Sequence, residues 1–181
     1  MSIQNLPGSI KSACGGKIII GARAREHMLI HADVGAVLTE AISKLRLPRN
    51  GAFLETDVDL GCIVGKTTCL QTDPIDPTTV AYFAKRNGRQ APSRVLPGET
   101  PAADTSHVAI VARSLGEPGV YTLVTAWLGE KAKKEPWDKA LTTDAERVEC
   151  LNFWCRHALI HEPATMEPIF ESSWSAVMVL P

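Results

Sequence analysis

Residues Thr105 to Trp127 constrain this chain most: two β-branched, alternating runs, Thr105 to Arg113 and Val120 to Trp127, are joined by Ser114 to Gly119 with its glycines and proline. Runs of this kind around a short Gly/Pro loop predict an antiparallel hairpin at the centre of a sheet. A period of two puts Tyr121, Leu123, Thr125 and Trp127 on one face of the second strand, and Val120, Thr122, Val124 and Ala126 on the other. A hydroxyl between aromatic groups suits a substrate surface. The competing reading is an amphipathic strand in which Thr125 is chosen for β-propensity.

What surrounds the hairpin sets the fold class. Lys17 to Ile20 reads as a short strand and Ala22 to His31 as a helix. Asp33 is placed to cap a second helix in which Val34, Val37, Leu38, Ala41, Ile42 and Leu45 recur at helical spacing. Pro48 to Gly51 ends it. Strand-like segments follow at Phe53 to Asp59, Gly61 to Gln71, Val80 to Lys85 and Arg94 to Leu96, and a last one is expected over Ser173 to Leu180. Thr143 to Glu146 has capping-box spacing, so a helix is expected to run to Leu159 with Val148, Leu151, Cys155 and Ala158 inward. Helices, then strands, then one helix predict an α+β domain, its N-terminal helices and one C-terminal helix packed on a curved antiparallel sheet. With 181 residues, 45% of them hydrophobic, the chain reads as a single globular domain over 1–181, with 1–15 a loose tail and 165–181 a C-terminal extension.

Several function classes find little footing. A formal net charge of −1 gives no global field to attract a polyanion, so any such site is local; Lys85, Arg86, Arg89 and Arg94 around Asn87-Gly88 form one basic patch, or a solvated loop. No apolar run approaches the roughly 20 residues of a membrane span, and Ile18 to Ile20 is too short for a signal peptide, so a cytoplasmic protein, or one exported by a route without an N-terminal signal, is expected. The five cysteines, Cys14, Cys62, Cys69, Cys150 and Cys155, include no CxxC pair, against both a disulfide framework and a thiolate zinc site. Gly61 to Thr67 imitates a phosphate-binding loop, but it is one residue short and is followed by strand rather than helix. No cofactor and no metal are expected.

Candidate chemistry lies in the histidines. His27 with His31, and His157 with His161, have i, i+4 spacing, but neither pair brings a third ligand. Arg23, His27 and His31 share one helical stripe, and an imidazole beside guanidinium groups suits a general base near neutral pH. No nucleophile elbow is present.

Taken together, Arg25-Glu26-His27 with His31, the Gly65 to Thr68 strand, the Arg86 to Arg89 turn and Tyr121 to Ala126 resemble the small metal-independent ribonuclease domains of the barnase, EndoU, colicin and RelE group, including the RNase-A-like toxin tails of contact-dependent inhibition systems. The resemblance implies cleavage of RNA by 2′-hydroxyl attack on the neighbouring phosphate, in a toxin or phage-associated module held by an immunity or antitoxin protein. It implies His27 or His31 as base and Lys66, with Arg86 or Arg89, for the developing charge. Ser106 and Thr125 would be hydroxyl donors, with Tyr121 or Trp127 stacking a base. The reading from a different class is a non-catalytic interaction or small-ligand-binding protein that uses the same sheet face.

Overall fold

In chain order the strands are β1 (Ser9–Lys11), β2 (Lys17–Ile19), β3 (Phe53–Asp59), β4 (Gly65–Lys66), β5 (Cys69–Gln71), β6 (Val80–Arg86), β7 (Arg89–Ser93), β8 (Val95–Pro97), β9 (Asp104–Thr105), β10 (His107–Ser114), β11 (Val120–Leu128), β12 (His157–His161) and β13 (Met166–Ser173). The helices are α1 (Ala22–His27), α2 (Leu38–Lys44) and α3 (Asp144–Arg156), with 3-10 segments at Ile3–Asn5 and Met28–Ala36. These elements belong to a computed structural model, which describes residues 2–67, 69–74, 80–86, 89–93, 95–136, 138–161 and 166–173. The fold class is α+β, as the sequence predicts.

Where the sequence reads as one domain, the chain divides into two compact units: Met1–Thr67 with Asp104–Lys131, and Thr68–Ala103 with Ala132–Pro181. Each is assembled from two separate stretches, so no linker-like composition marks a boundary between them. The first unit is built on a five-stranded sheet of order β1-β2-β11-β10-β3. The expected hairpin forms, with β10 antiparallel to β11 and, on its other side, to β3. The sheet is mixed rather than antiparallel throughout, because β2 runs parallel to β11, Ile19 opposite Thr122.

The strict alternation expected of β11 breaks at one residue. Val111 pairs with Thr125 but the next position, Ala112, pairs with Leu123, so Val124 is the extra residue of a β-bulge. Beyond it the faces exchange. Tyr121, Leu123, Ala126 and Leu128 point into the core, while Thr125 and Trp127, expected beside Tyr121 and Leu123, lie on the opposite face. Tyr121 is 1% exposed, and its hydroxyl donates to the Pro48 carbonyl at 2.9 Å. Its ring is a core element and offers no surface for a stacked base. Tyr121→Phe is therefore expected to lower stability by about 0.5–1.5 kcal/mol in thermal melts, the net worth of one hydrogen bond.

The first residues are anchored where a loose tail is expected. Ile3, Leu6 and Ile10 are buried in the same cluster as Ile18, Met28, Leu38, Ile42 and Ile110, and Arg25 donates to the carbonyls of Ile3 and Pro7. The helix expected over Ala22 to His31 is shorter. It tightens to 3-10 winding at Met28 and leaves helical geometry at His31 (φ −125°, ψ 45°), which sends both Met28 and Val34 into the core. The Asp33 carboxylate accepts from the adjacent Val34 amide. The α-helix proper starts at Leu38, burying Leu38, Ala41 and Ile42 as their spacing requires.

In the second unit β12 joins β5 antiparallel and β8 parallel, and β6 lies between β13 and β7 in another three-stranded sheet. The Thr143–Glu146 capping box starts α3 as predicted. The buried residues of α3 are Cys150 and Trp154, whereas Val148, expected inward, is exposed. Trp154 decides this orientation: its indole N–H reaches the carbonyls of Lys133 and Lys134, at 3.2 and 3.1 Å. The helix ends at Arg156 rather than Leu159, where the chain turns into β12. Apart from Ser173, the strand expected over Ser173 to Leu180 lies outside the described residues.

Candidate functional site

Because one face of the five-stranded sheet covers the core, the alternate residues of each strand define a second face. On β3 these are Glu55, Asp57 and Asp59, all exposed; on β10 they are His107, Ala109, Val111 and Arg113. The bulge adds Thr125 and Trp127 from β11. Cross-strand register sets Asp57 opposite Ala109 and Ala109 opposite Trp127, so a residue with only a methyl group separates a carboxylate from an indole. One strand pair along, Val111 faces Thr125.

His107 is the best-positioned titratable group on this face. Its Nδ1 lies 3.0 Å from Asp57 Oδ2. An ionised carboxylate only accepts, so Nδ1 carries the hydrogen, and in the neutral ring Nε2 keeps its lone pair. Gly129, at φ +122°, turns the chain at the end of β11, and its amide donates to the His107 carbonyl. The turn brings Glu130 Oε1 to 3.9 Å from Nε2, while Lys131 Nζ donates to the Glu55 carbonyl. Beside the dyad, the Ser106 hydroxyl and the Gly61 amide donate to Asp59 and hold its carboxyl below the ordinary range.

The Thr125 hydroxyl oxygen is enclosed and has no hydrogen-bond partner among the described residues. An orphaned buried hydroxyl costs about 1–3 kcal/mol and calls for an explanation. Trp127 beside it is half-buried.

The segments that carry the early histidines pack against the same strand. Pairing of β2 with β11 is recorded only at Val120 to Thr122; farther along β11 the 3-10 segment Met28–Ala36 packs against it, and Met28 Sδ accepts the Ala126 amide at 3.1 Å. The segment carrying His31 thus packs against β11 at Ala126, which with Met28 belongs to the core, whereas Thr125 and Trp127 lie on the opposite face of the strand. His27 and His31 meet edge to face, ring centroids 6.0 Å apart. Because the chain leaves helical geometry at His31, they do not form the continuous stripe with Arg23 that the spacing predicts. Burial pushes the His31 imidazole below its usual range; the neighbouring His27 acts in the same direction and Asp33 against it.

The remaining expected site residues belong to other elements. Lys66 is on a strand, as expected, 63% exposed and paired with Asp104. Ser106 is half-buried between β9 and β10 with its hydroxyl on Asp59. Arg86 and Arg89 pair across β6 and β7, but their side chains lie outside the described residues. The sequence reading missed His107. Its signal was the Glu55-x-Asp57-x-Asp59 alternation, which places carboxylates on one face of a strand, next to a histidine that opens another. Among the described residues no group of three or more His, Cys, Asp or Glu is placed to hold a metal, and no helix is long and apolar enough to cross a membrane. No protein-family model, curated protein or solved structure matches the chain.

Proposed function

We propose that this chain cleaves RNA without a metal: the 2′-oxygen attacks the adjacent phosphate, and His31 takes the 2′-hydroxyl proton. The observation that supports this reading is the enclosed Thr125 hydroxyl, without a partner among the described residues, on the strand against which the segment carrying His31 packs through Met28 and the Ala126 amide. A base must be unprotonated at working pH, and burial favours that form of His31. Thr125 supplies an enclosed hydroxyl with no partner among the described residues, which a phosphate oxygen that reaches it would satisfy, and Trp127 offers a ring on which a base can stack, worth about 1–3 kcal/mol. Lys66 is bound to Asp104 only by a surface ion pair of about 0–1 kcal/mol, so a phosphate can recruit it. A toxin or phage-associated module acting this way needs a protein partner that blocks it, such as an immunity protein or antitoxin, and that partner belongs to the same proposal.

Incubation with total RNA, with and without EDTA, tests the reading. Equal cleavage in both, leaving 2′,3′-cyclic phosphate ends, is the expected result. Activity abolished by EDTA and restored by zinc would instead make the His27–His31 pair a chelate. RNA bound but left intact would favour the binding-protein reading. Thr125→Val keeps shape and β-propensity while deleting the donor, so turnover is expected to fall about ten- to a hundredfold with little change in thermal midpoint. Full activity in that variant would remove Thr125 from the site.

A further inference from the structure

Strand β3 forms one edge of the five-stranded sheet, and its hydrogen-bond alternation decides which backbone groups that edge leaves open. The Ser114 amide donates to the Ala52 carbonyl just before the strand, and the Leu60 amide to the Ser106 carbonyl just after it. Bonded residues alternate in an antiparallel ladder, so Leu54, Thr56 and Val58 direct their amides and carbonyls at β10. Those of Phe53, Glu55, Asp57 and Asp59 point away from the sheet. Among the described residues no strand pairs with this edge; the Glu55 carbonyl accepts from Lys131 Nζ and the Asp57 carbonyl from the Thr56 hydroxyl, both exposed contacts. We propose that β3 is a docking edge for an antiparallel strand of a partner protein, one with lysine or arginine at alternate positions and apolar residues between them.

The two faces of β3 specify that strand. Glu55, Asp57 and Asp59 are exposed on one face, and side chains directly across a strand pair reach one another, so basic residues belong opposite them. On the other face Leu54 and Val58 pack at the margin of the core and stay partly exposed, which apolar side chains opposite them would cover. A second copy of this chain does not fit. Pairing β3 with itself antiparallel over its full length sets Glu55 against Asp57 twice, and like charges directly opposite destabilise a ladder. Edges closed to every partner are commonly very short or carry a proline, a bulge or lysines; β3 runs seven residues with neither proline nor register shift. Its carboxylates therefore repel their own kind and select a basic strand.

Calorimetry and amide hydrogen exchange on the full chain, with synthetic peptides as probes, test this. The probe is acetyl-Lys-Val-Arg-Val-Lys-Val-Thr-amide, matched in length to β3. In the free protein the Glu55, Asp57 and Asp59 amides are expected to exchange readily and those of Leu54, Thr56 and Val58 slowly; saturating peptide is expected to slow the first set at least about tenfold. N-methylating the Lys and Arg residues of the peptide, whose amides face β3 in an antiparallel ladder, deletes the donors and keeps every charge. Binding is then expected to weaken more than about tenfold. In the chain, Glu55→Pro removes one outward N–H and leaves the β10 ladder intact, so it is expected to weaken binding more than Glu55→Gln, which removes the same charge, with thermal midpoints showing that both remain folded. Equal binding by the methylated peptide or by the rearranged acetyl-Lys-Lys-Arg-Val-Val-Val-Thr-amide, or no added protection at β3, would overturn the proposal.

Discussion

Deleting Ala126 is expected to unfold the first unit, whereas deleting Val124, two positions earlier, is expected to leave it folded. Ala126 is fully buried opposite Ile110, with its amide on Met28. Its removal moves Trp127 into a place that fits a methyl group and turns Leu128 out of the core. Leu128 alone loses about 1.5–3 kcal/mol of burial, and overpacking by an indole adds about 1–3 kcal/mol or more. Flipping the end of a central strand thus removes much of the roughly 5–15 kcal/mol that holds a typical domain together. Val124 is 41% exposed and is the unpaired residue of the bulge. Taking it out preserves Val111 opposite Thr125 and Ala112 opposite Leu123, and turns the bulged strand into a regular one. Thermal melts followed by near-ultraviolet circular dichroism decide the matter; similar behaviour of the two deletions would contradict the assigned register.

Replacing His31 with glutamine is expected to reduce RNA turnover by about 10²–10⁴-fold, the usual contribution of a positioned proton acceptor. The pH dependence gives a second readout. Because burial and His27 depress the His31 imidazole, with Asp33 opposing them, the basic form of His31 persists to lower pH than an ordinary histidine. The acid limb of kcat/KM should therefore fall below about 6.5, the ordinary histidine value, and should be absent from His31→Gln. Stability follows the same sign. A histidine whose folded value is depressed contributes stability that is fully present above the unfolded value and is lost as pH falls from there toward the folded value. Acidification should thus lower the midpoint of the unaltered protein more than that of the variant. A variant with undiminished turnover would return the base role to His27 or remove it from this segment.

Short-range signals were the readable ones. The β10–β11 hairpin follows from alternation, and Thr143 with Glu146 announced the start of α3 through two reciprocal hydrogen bonds that depend on neighbouring residues alone. The face of β11 was not readable beyond Leu123, because one bulged residue reverses every later position while leaving composition unchanged. The parallel pairing of Ile19 with Thr122 joins residues about a hundred positions apart, and no local pattern encodes it. Ile3, Leu6 and Ile10 sit among Ser, Asn, Gln and Gly, so their burial becomes visible only with the cluster that receives them. Of the candidate site, Thr125, Trp127 and the early histidines were identified by residue type. His107 went unrecognised because its partner Asp57 lies 50 residues earlier.

The interleaving of the two units carries a consequence for synthesis. Strand β11, near the middle of the first sheet, is flanked by partners that both need it: β2, made more than a hundred residues earlier, and β10 just before it. The first unit therefore cannot close until residue 131 has left the ribosome, and the 36 residues of Thr68–Ala103, which belong to the other unit, emerge before it does. At about 5–20 residues per second, that inserted stretch alone delays closure by about 2–7 s, during which β1, β2 and β3 wait without their central strand. A nascent chain stalled just after residue 103 should thus be cut readily by protease throughout Met1–Thr67, while one stalled well beyond residue 131 should resist there.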